Sequence, residues 1–296
     1  MNTRARWQPL ILDAIPEVGR FLEFDLRESA DPRDALLRLA AATHPDHVVV
    51  GAGLPLVVAL GATIPGLRAF PTLRGAGRMF PSTQNALWLF VAGSSDGELF
   101  DRARSAYLAV SDSFAVRQET STFRYRGGRD LSGYEDGTEN PVGDDAVAAA
   151  IVSSSVPGLD GATFVAVQRW RHDLTGFSAL SENARDNAIG RSMITNKELA
   201  HAPSSAHVKR AAQESFSPPA HIVRRSMPWG GVAEHGLYFA AYGESLDRFE
   251  RILTRISGVE DGVVDGLLTL SRAESGGYYF CPPLRDGMLD WTALGL

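Results

Sequence analysis

Three side-chain types, set far apart along this chain, could act together on one bound group. Asp136 sits in "GYEDGTENP", His207 in "SSAHVKR", and Arg224 and Ser226 in "IVRRSMPWG". A neutral imidazole can bind a haem iron on one face. A carboxylate and a guanidinium on the other face can move a proton and stabilise negative charge developing on oxygen. Each residue also has an ordinary reading. Asp-Gly and Asn-Pro are turn dipeptides, because Gly accepts positive φ and Asp or Asn bonds its own backbone. His207 reads equally well as an exposed residue on a short helix, and Arg224 as a surface charge on a strand. Spacing alone does not say that these residues meet.

Other motifs carry less. "GSSDG", Gly93 to Gly97, matches the G-x-S-x-G nucleophile turn between a strand and a helix. Ser95 and Glu98 also form a capping box there, and the chain lacks the strand–helix alternation of a hydrolase sheet, so the cap is the better reading. "HPDH" places His44 and His47 three apart, but Pro45 breaks a helical face and no third ligand stands near. "GAGLP" at Gly51 is too short to be a phosphate loop. Cys281, in an apolar run, reads as a small core residue.

Composition narrows the class. The 296 residues are 44% hydrophobic and 22% charged, with a net charge of −6. That balance argues against nucleic acid as the main partner, since phosphate binding wants a basic face. No apolar run reaches the length of a membrane span. The opening "MNTRARWQPLILDAIPEVGR" does not read as a secretion signal. A single cysteine excludes an internal disulfide framework and a Cys-x-x-Cys-His haem attachment, and a cytoplasmic location is expected.

The elements that must position these residues repeat coarsely. "RFLEFDLR" reads as a strand in which Leu22, Phe24 and Leu26 alternate with Glu23 and Asp25. Asp31 and Pro32 open a helix to about residue 43. "HVVVGAG" and "NALWLFVAG" read as strands. A helix follows with Leu99, Phe100, Ala103, Ala106, Tyr107 and Val110 on one face, and "FAVRQETSTFRY" closes the set. The second half repeats the order: strand "ATFVAVQRWR", helix "SENARDNAIGR" capped by Ser181, strands "AHIVRRSM" and "GLYFAAYG", helix "SLDRFERILTRIS", strand "GYYFCPP". Two β-α-β-β-α-β units predict an α+β chain of two tandem ferredoxin-like domains, 1–150 and 151–296, each an antiparallel sheet with helices on one face. The loop carrying Asp136 runs between them, and a second long irregular stretch spans about 191–219; both suit a site built between domains.

With the motifs in place, the sequence resembles the dye-decolourising peroxidases, and among them the B-type subgroup. "GYEDGTENP" fits that family's G-x-x-D-G signature, and "VQRWRHDL", "AIGR", "SAHVKR", the Arg-Arg-Ser-Met-Pro-Trp-Gly run and "GGYYFCPP" follow in its order, from about residue 8 to 285. The resemblance implies one non-covalent haem b per chain, bound in the C-terminal domain, with His207 as the axial iron ligand. Asp136, Arg224 and Ser226 would form the distal side, Ser226 departing from the Asn common in some relatives. Asp265, in "DGVVDGLL", would give the proximal histidine its acid partner, the alternative being a helix-face charge. Arg191 would contact a haem propionate. The implied activity is oxidation of dyes, phenols or other small aromatic reductants by hydrogen peroxide through an oxo-ferryl intermediate. Trp170, Trp229, Tyr242 and Tyr278 are candidate electron relays, although strand aromatics are usually core. Homo-oligomerisation is expected, and no encapsulation tail is evident after "DWTALGL". The competing reading is a haem-handling protein with incidental peroxidase activity; Asp136 and Arg224 favour the enzyme, because storage needs no distal acid and cation.

Overall fold

The structure is a computed structural model and describes residues 6–75 and 77–296. Its first half runs β1 (Val18–Leu26), α1 (Arg33–Ala42), β2 (Val48–Gly53), α2 (Leu54–Ala59), a small hairpin of β3 (Leu73–Gly75) and β4 (Arg78–Phe80), β5 (Leu87–Gly93), α3 (Asp96–Val110) and β6 (Phe114–Phe123). The second half runs α4 (Gly143–Ala150), β7 (Thr163–His172), α5 (Leu174–Ala179), α6 (Glu182–Ile189), α7 (His207–Arg210), β8 (Val223–Arg224), β9 (Met227–Gly230), β10 (His235–Gly243), α8 (Leu246–Ile256), β11 (Ser271–Ala273), β12 (Gly277–Cys281) and a hairpin of β13 (Leu284–Arg285) and β14 (Met288–Leu289). The predicted β-α-β-β-α-β order appears in both halves, with α2 and the β3–β4 hairpin inserted in the first.

Strand order shows why the halves are alike. The first sheet is ordered β2-β5-β1-β6, and the second β9-β10-β7-β12, so each places its strands in the same ferredoxin-like sequence. All pairings are antiparallel. The run predicted as one strand, "AHIVRRSM", breaks into β8 and β9, both of which pair with β10.

The two sheets do not stand apart. β12 pairs with β2, and β6 meets β9 through Thr122 and Trp229, so the strands close on themselves. Closure removes the exposed sheet edges. It also buries both faces of β2, β5 and the middle of β1, which the alternating pattern of β1 does not reveal. Inside lie Phe21, Trp88, Phe90, Val165, Val167, Met227, Trp229, Tyr238, Tyr242 and Tyr279. Outside, α1, α3 and α8 cover the opposite faces in a second cluster that includes Leu36, Leu39, Leu99, Ala106, Phe249 and Ile252. In α8 the predicted face of Leu246, Phe249, Ile252, Leu253 and Ile256 is buried throughout. In α3 the predicted face is too wide: Phe100 is 54% exposed and Tyr107 is exposed too, and the buried residues are Leu99, Ala103, Ala106, Ala109 and Val110.

Caps follow the sequence closely. Ser181 accepts from the Ala184 amide at the start of α6, and Ser95 accepts from that of Glu98 at the start of α3. Glu98 does not complete the predicted box on Ser95. Its carboxylate accepts instead from the amide and hydroxyl of Ser94.

Candidate functional site

The outer face of the second sheet and α8 enclose a cavity. Gln168, Trp170 and His172 of β7 and Leu237 and Phe239 of β10 form its floor, with Phe249, Ile252, Leu253 and Ile256 of α8 against them. It adjoins a larger, more polar cleft of about 910 Å³, and Asp136, Ile189, His207 and Arg224 line both. Three of the residues singled out from sequence therefore meet in one place.

His207 opens the short helix α7. Two contacts fix its position. At the end of α6, Gly190 adopts φ 95°, and a Cβ there would stand 2.3 Å from Val208 Cγ2, so only glycine lets the two segments approach. Three residues after His207, buried Arg210 makes paired hydrogen bonds of 2.7 Å to both carboxylate oxygens of Asp261 and a third to the Arg255 carbonyl. His207 Nδ1 lies 2.8 Å from Asp265 Oδ2, and the other Asp265 oxygen accepts from the Leu267 amide at 2.7 Å. Asp265 is thus a fully buried cap of a short 3-10 turn, not a charge on a helix face. Burial works against a charged imidazole at His207, but the charge and hydrogen bond of Asp265 outweigh it and raise the pKa. Arg224 lowers it and Asp136 raises it by lesser amounts. Nδ1 is engaged, so Nε2 is the nitrogen left for a ligand.

The loop that carries Asp136 is tied at several points. Gly137 takes φ 77° immediately after Asp136, the bend that the Asp-Gly pair signals. Asp130 Oδ2 lies 2.9 Å from His172 Nε2, and His172 Nδ1 lies 2.8 Å from Ser271 Oγ. Asp130 also accepts from the Ser132 amide at 2.7 Å. Burial alone would raise its pKa, but the His172 hydrogen bond and charge, with Ser132, hold it below the ordinary value. Downstream, the Asn140 side chain donates to the Arg224 carbonyl at 2.9 Å and accepts from the Arg224 amide at 3.0 Å. Neither Asn140 nor the Asp130–His172–Ser271 chain was singled out from sequence. The only signal was the Asn-Pro pair itself.

The remaining candidates fall differently. Arg191 lines the cleft, donates to the Asn196 carbonyl at 3.0 Å and pairs with Glu139. Ser226 is buried between β8 and β9, lines neither cavity, and its Oγ has no hydrogen-bond partner among the described residues. Trp170 lines the cavity, whereas Trp229 and Tyr242 belong to the barrel interior. Tyr278 is buried in the outer cluster.

Comparison with known proteins agrees with this layout. Residues 127–286, which hold the loop, His207, Arg224 and Asp265, match the family model described as "Dyp-type peroxidase, C-terminal". A dye-decolorizing peroxidase of Mycolicibacterium paratuberculosis is 32% identical over 222 residues, 73% of this chain and 63% of that protein. One from Rhodococcus erythropolis is 30% identical over 294 residues, 93% of this chain and 86% of that protein. The chain spans less than two thirds of the length of the Mycolicibacterium protein and of one from Brevibacterium linens. Among solved structures, a dye-decolorizing protein from V. cholerae superposes with a TM-score of 0.83 at 29% identity, covering 92% of this chain and 95% of that one. DypB from Rhodococcus jostii superposes with a TM-score of 0.83 at 28% identity, covering 92% and 94%. A matching family model over more than half the chain, with relatives of this identity and coverage, has one meaning: the chain belongs to the Dyp-type peroxidase family.

Proposed function

We propose that this protein is a haem peroxidase that uses hydrogen peroxide to oxidise dyes, phenols or other small aromatic donors. The observation that carries the proposal is the convergence of His207, Asp136 and Arg224 on one cavity that Trp170, Leu237, Phe239 and the apolar face of α8 also line. The donor set fits a haem. Asp265 occupies Nδ1 of His207 and leaves Nε2 to bind iron, while Trp170, Leu237, Phe239 and the α8 side chains suit a macrocycle's apolar faces. Buried Gln168 Nε2 lines the same cavity without a hydrogen-bond partner among the described residues. Arg191 and Arg248 line the polar cleft and suit propionate carboxylates. Solved relatives from Rhodococcus jostii are described as complexes with haem.

When bound, the haem supplies the redox chemistry that cleaves the O–O bond. The chain supplies proton movement and charge. Asp136 takes the proton from one peroxide oxygen and returns it to the other. Arg224 offsets negative charge as the bond breaks. Asp265 keeps the His207 imidazole electron-rich. Ser226, two residues after Arg224 and outside both cavities, would act on the distal side only through the segment that carries Arg224. A cytoplasmic location and self-association complete the proposal; size-exclusion chromatography with light scattering tests the second.

The deciding measurement is the absorption spectrum of purified protein before and after one equivalent of peroxide. A Soret band that converts on peroxide addition, and is absent in His207→Ala, supports the enzyme. A Soret band that only bleaches favours haem handling. No Soret band after haem addition overturns both.

A further inference from the structure

Deep inside the barrel lies a carboxyl group that the proposed peroxidase chemistry does not use. Glu23 is 1% exposed, and no cation among the described residues pairs with it. Tyr238 Oη donates to its Oε1 at 2.8 Å, Tyr279 Oη to its Oε2 at 3.2 Å, and Asn85 Nδ2 to Oε2 at 2.9 Å. Trp88 Nε1 in turn donates to Tyr238 Oη at 3.0 Å, and the Phe21 ring stacks on that of Tyr238 with centroids 3.9 Å apart. An unpaired carboxyl in a dry interior is expensive, and apolar packing would serve the barrel as well.

We infer that Tyr238 is a redox-active residue with Glu23 as its proton acceptor, a buried reservoir for an oxidising equivalent generated in the adjoining cavity. The inference rests on the proposed peroxidase reading, which supplies the oxidant, a peroxide-oxidised haem. The strand neighbours of Tyr238, Leu237 and Phe239, line that cavity, so the phenol is one sheet's thickness from it. One electron leaves the Tyr238 ring for the oxidised site, and the phenolic proton crosses to Glu23 Oε1. A neutral tyrosyl radical and a protonated carboxyl remain. An electron from an aromatic donor, with return of the proton to Oη, restores the resting pair.

Tyr134, which lines the cavity and donates to Asp186 Oδ1 at 2.5 Å, is a competing phenol that a signal surviving Tyr238→Phe would reveal; Tyr242, Tyr278, Tyr279 and Trp229 lack what this step needs. Tyr242 and Tyr278 have no hydrogen-bond partner for their hydroxyls among the described residues, so no acceptor stands ready for the proton. The Arg169 guanidinium lies 3.5 Å from the Trp229 ring centroid, and a cation there opposes a tryptophan radical cation. Tyr279 shares Glu23 through a longer bond, and no residue of its strand lines the cavity. Burial and Glu23 raise the Tyr238 pKa well above its ordinary value, so electron loss must carry the proton with it.

The test is freeze-quench electron paramagnetic resonance of haem-loaded protein after one equivalent of peroxide, with the Soret band recorded on the same samples. A tyrosyl signal is expected in the wild type. It should be lost in Tyr238→Phe and in Glu23→Gln while Soret conversion persists, and be retained in Tyr279→Phe. Glu23→Gln keeps an oxygen acceptor of the same shape but cannot take a proton, so a merely structural role would leave the signal intact. Infrared difference spectra of the wild type should show a protonated carboxyl appearing with the radical, a readout that does not depend on how the variants fold. Soret conversion without a tyrosyl signal, a signal that survives Tyr238→Phe or Glu23→Gln, or a radical without the carboxyl band overturns the inference. Absence of Soret conversion overturns the proposed function, and this inference with it.

Discussion

Asn140 grips the backbone of Arg224, 84 residues away, through both atoms of its side-chain amide. The contact explains why Thr-Glu-Asn-Pro follows the Asp-Gly turn. One end of the loop presents Asp136, and the other locks onto the strand that presents Arg224. Asn140→Ala removes both backbone bonds and a longer one of 3.4 Å from Arg224 Nε, and leaves a carbonyl and an amide short of partners, at a cost of about 1–3 kcal/mol. Urea unfolding should record that loss. Stopped-flow mixing with peroxide should show a slowed Soret change, because Asp136 and Arg224 lose their common brace. A stability loss with an unchanged rate would confine Asn140 to folding.

Asp265 makes a second prediction. Asp265→Asn keeps the side-chain shape but removes the negative charge that outweighs burial at His207. The His207 pKa should fall, as read by NMR titration of haem-free protein. Loss of such a partner typically weakens metal binding by about 10–100-fold. Haem transfer to apomyoglobin should therefore be faster from the variant. Equal transfer rates would remove Asp265 from the proximal role.

The Asp130–His172–Ser271 chain fastens the start of the same loop to β7 and β11. The folded Asp130 pKa lies below its usual 3.8, so this carboxylate contributes stability at higher pH that is lost as pH falls through the folded value. His172→Leu removes a hydrogen bond to a charged group, about 1.5–3 kcal/mol at neutral pH. The gap between wild type and variant should narrow under acid conditions once Asp130 is protonated. A gap independent of pH would assign the loss to packing alone.

Much of this layout was legible from the chain. The apolar spacing of α8, the Ser181 cap and the repeated strand order follow from local rules that act over a few residues. Asp136, His207 and Arg224 were found through motif resemblance, and only the fold shows that they share a cavity. Three things were hidden for one reason. Barrel closure through β12–β2 and β6–β9, the Asn140–Arg224 grip and the Asp130–His172 bond are all long-range pairings with no periodic signature. Alternation in β1 places Glu23 opposite Leu22 and Phe24, which reads as the solvent side of an open sheet. Closing the barrel turns that side into an interior.

Glu23 therefore carries a prediction that needs no haem. Burial raises its folded pKa above the ordinary 4.5, against the lowering effect of its hydrogen bonds with Tyr238, Asn85 and Tyr279. The unfolded chain gives up this proton near 4.5, while the folded chain still holds it. Folded protein then binds more protons than unfolded, and stability must fall as pH climbs from 4.5 through the folded value. Glu23→Gln has no proton to lose, so its stability relative to wild type should rise across that window and then level off. Urea unfolding at a series of pH values reads both curves. The pH at which their difference levels off marks where Glu23 is ionised in the native barrel, and hence where it can act as a base toward Tyr238. A flat difference would mean that the native and unfolded chains release this proton together, and that the interior leaves the carboxyl unperturbed.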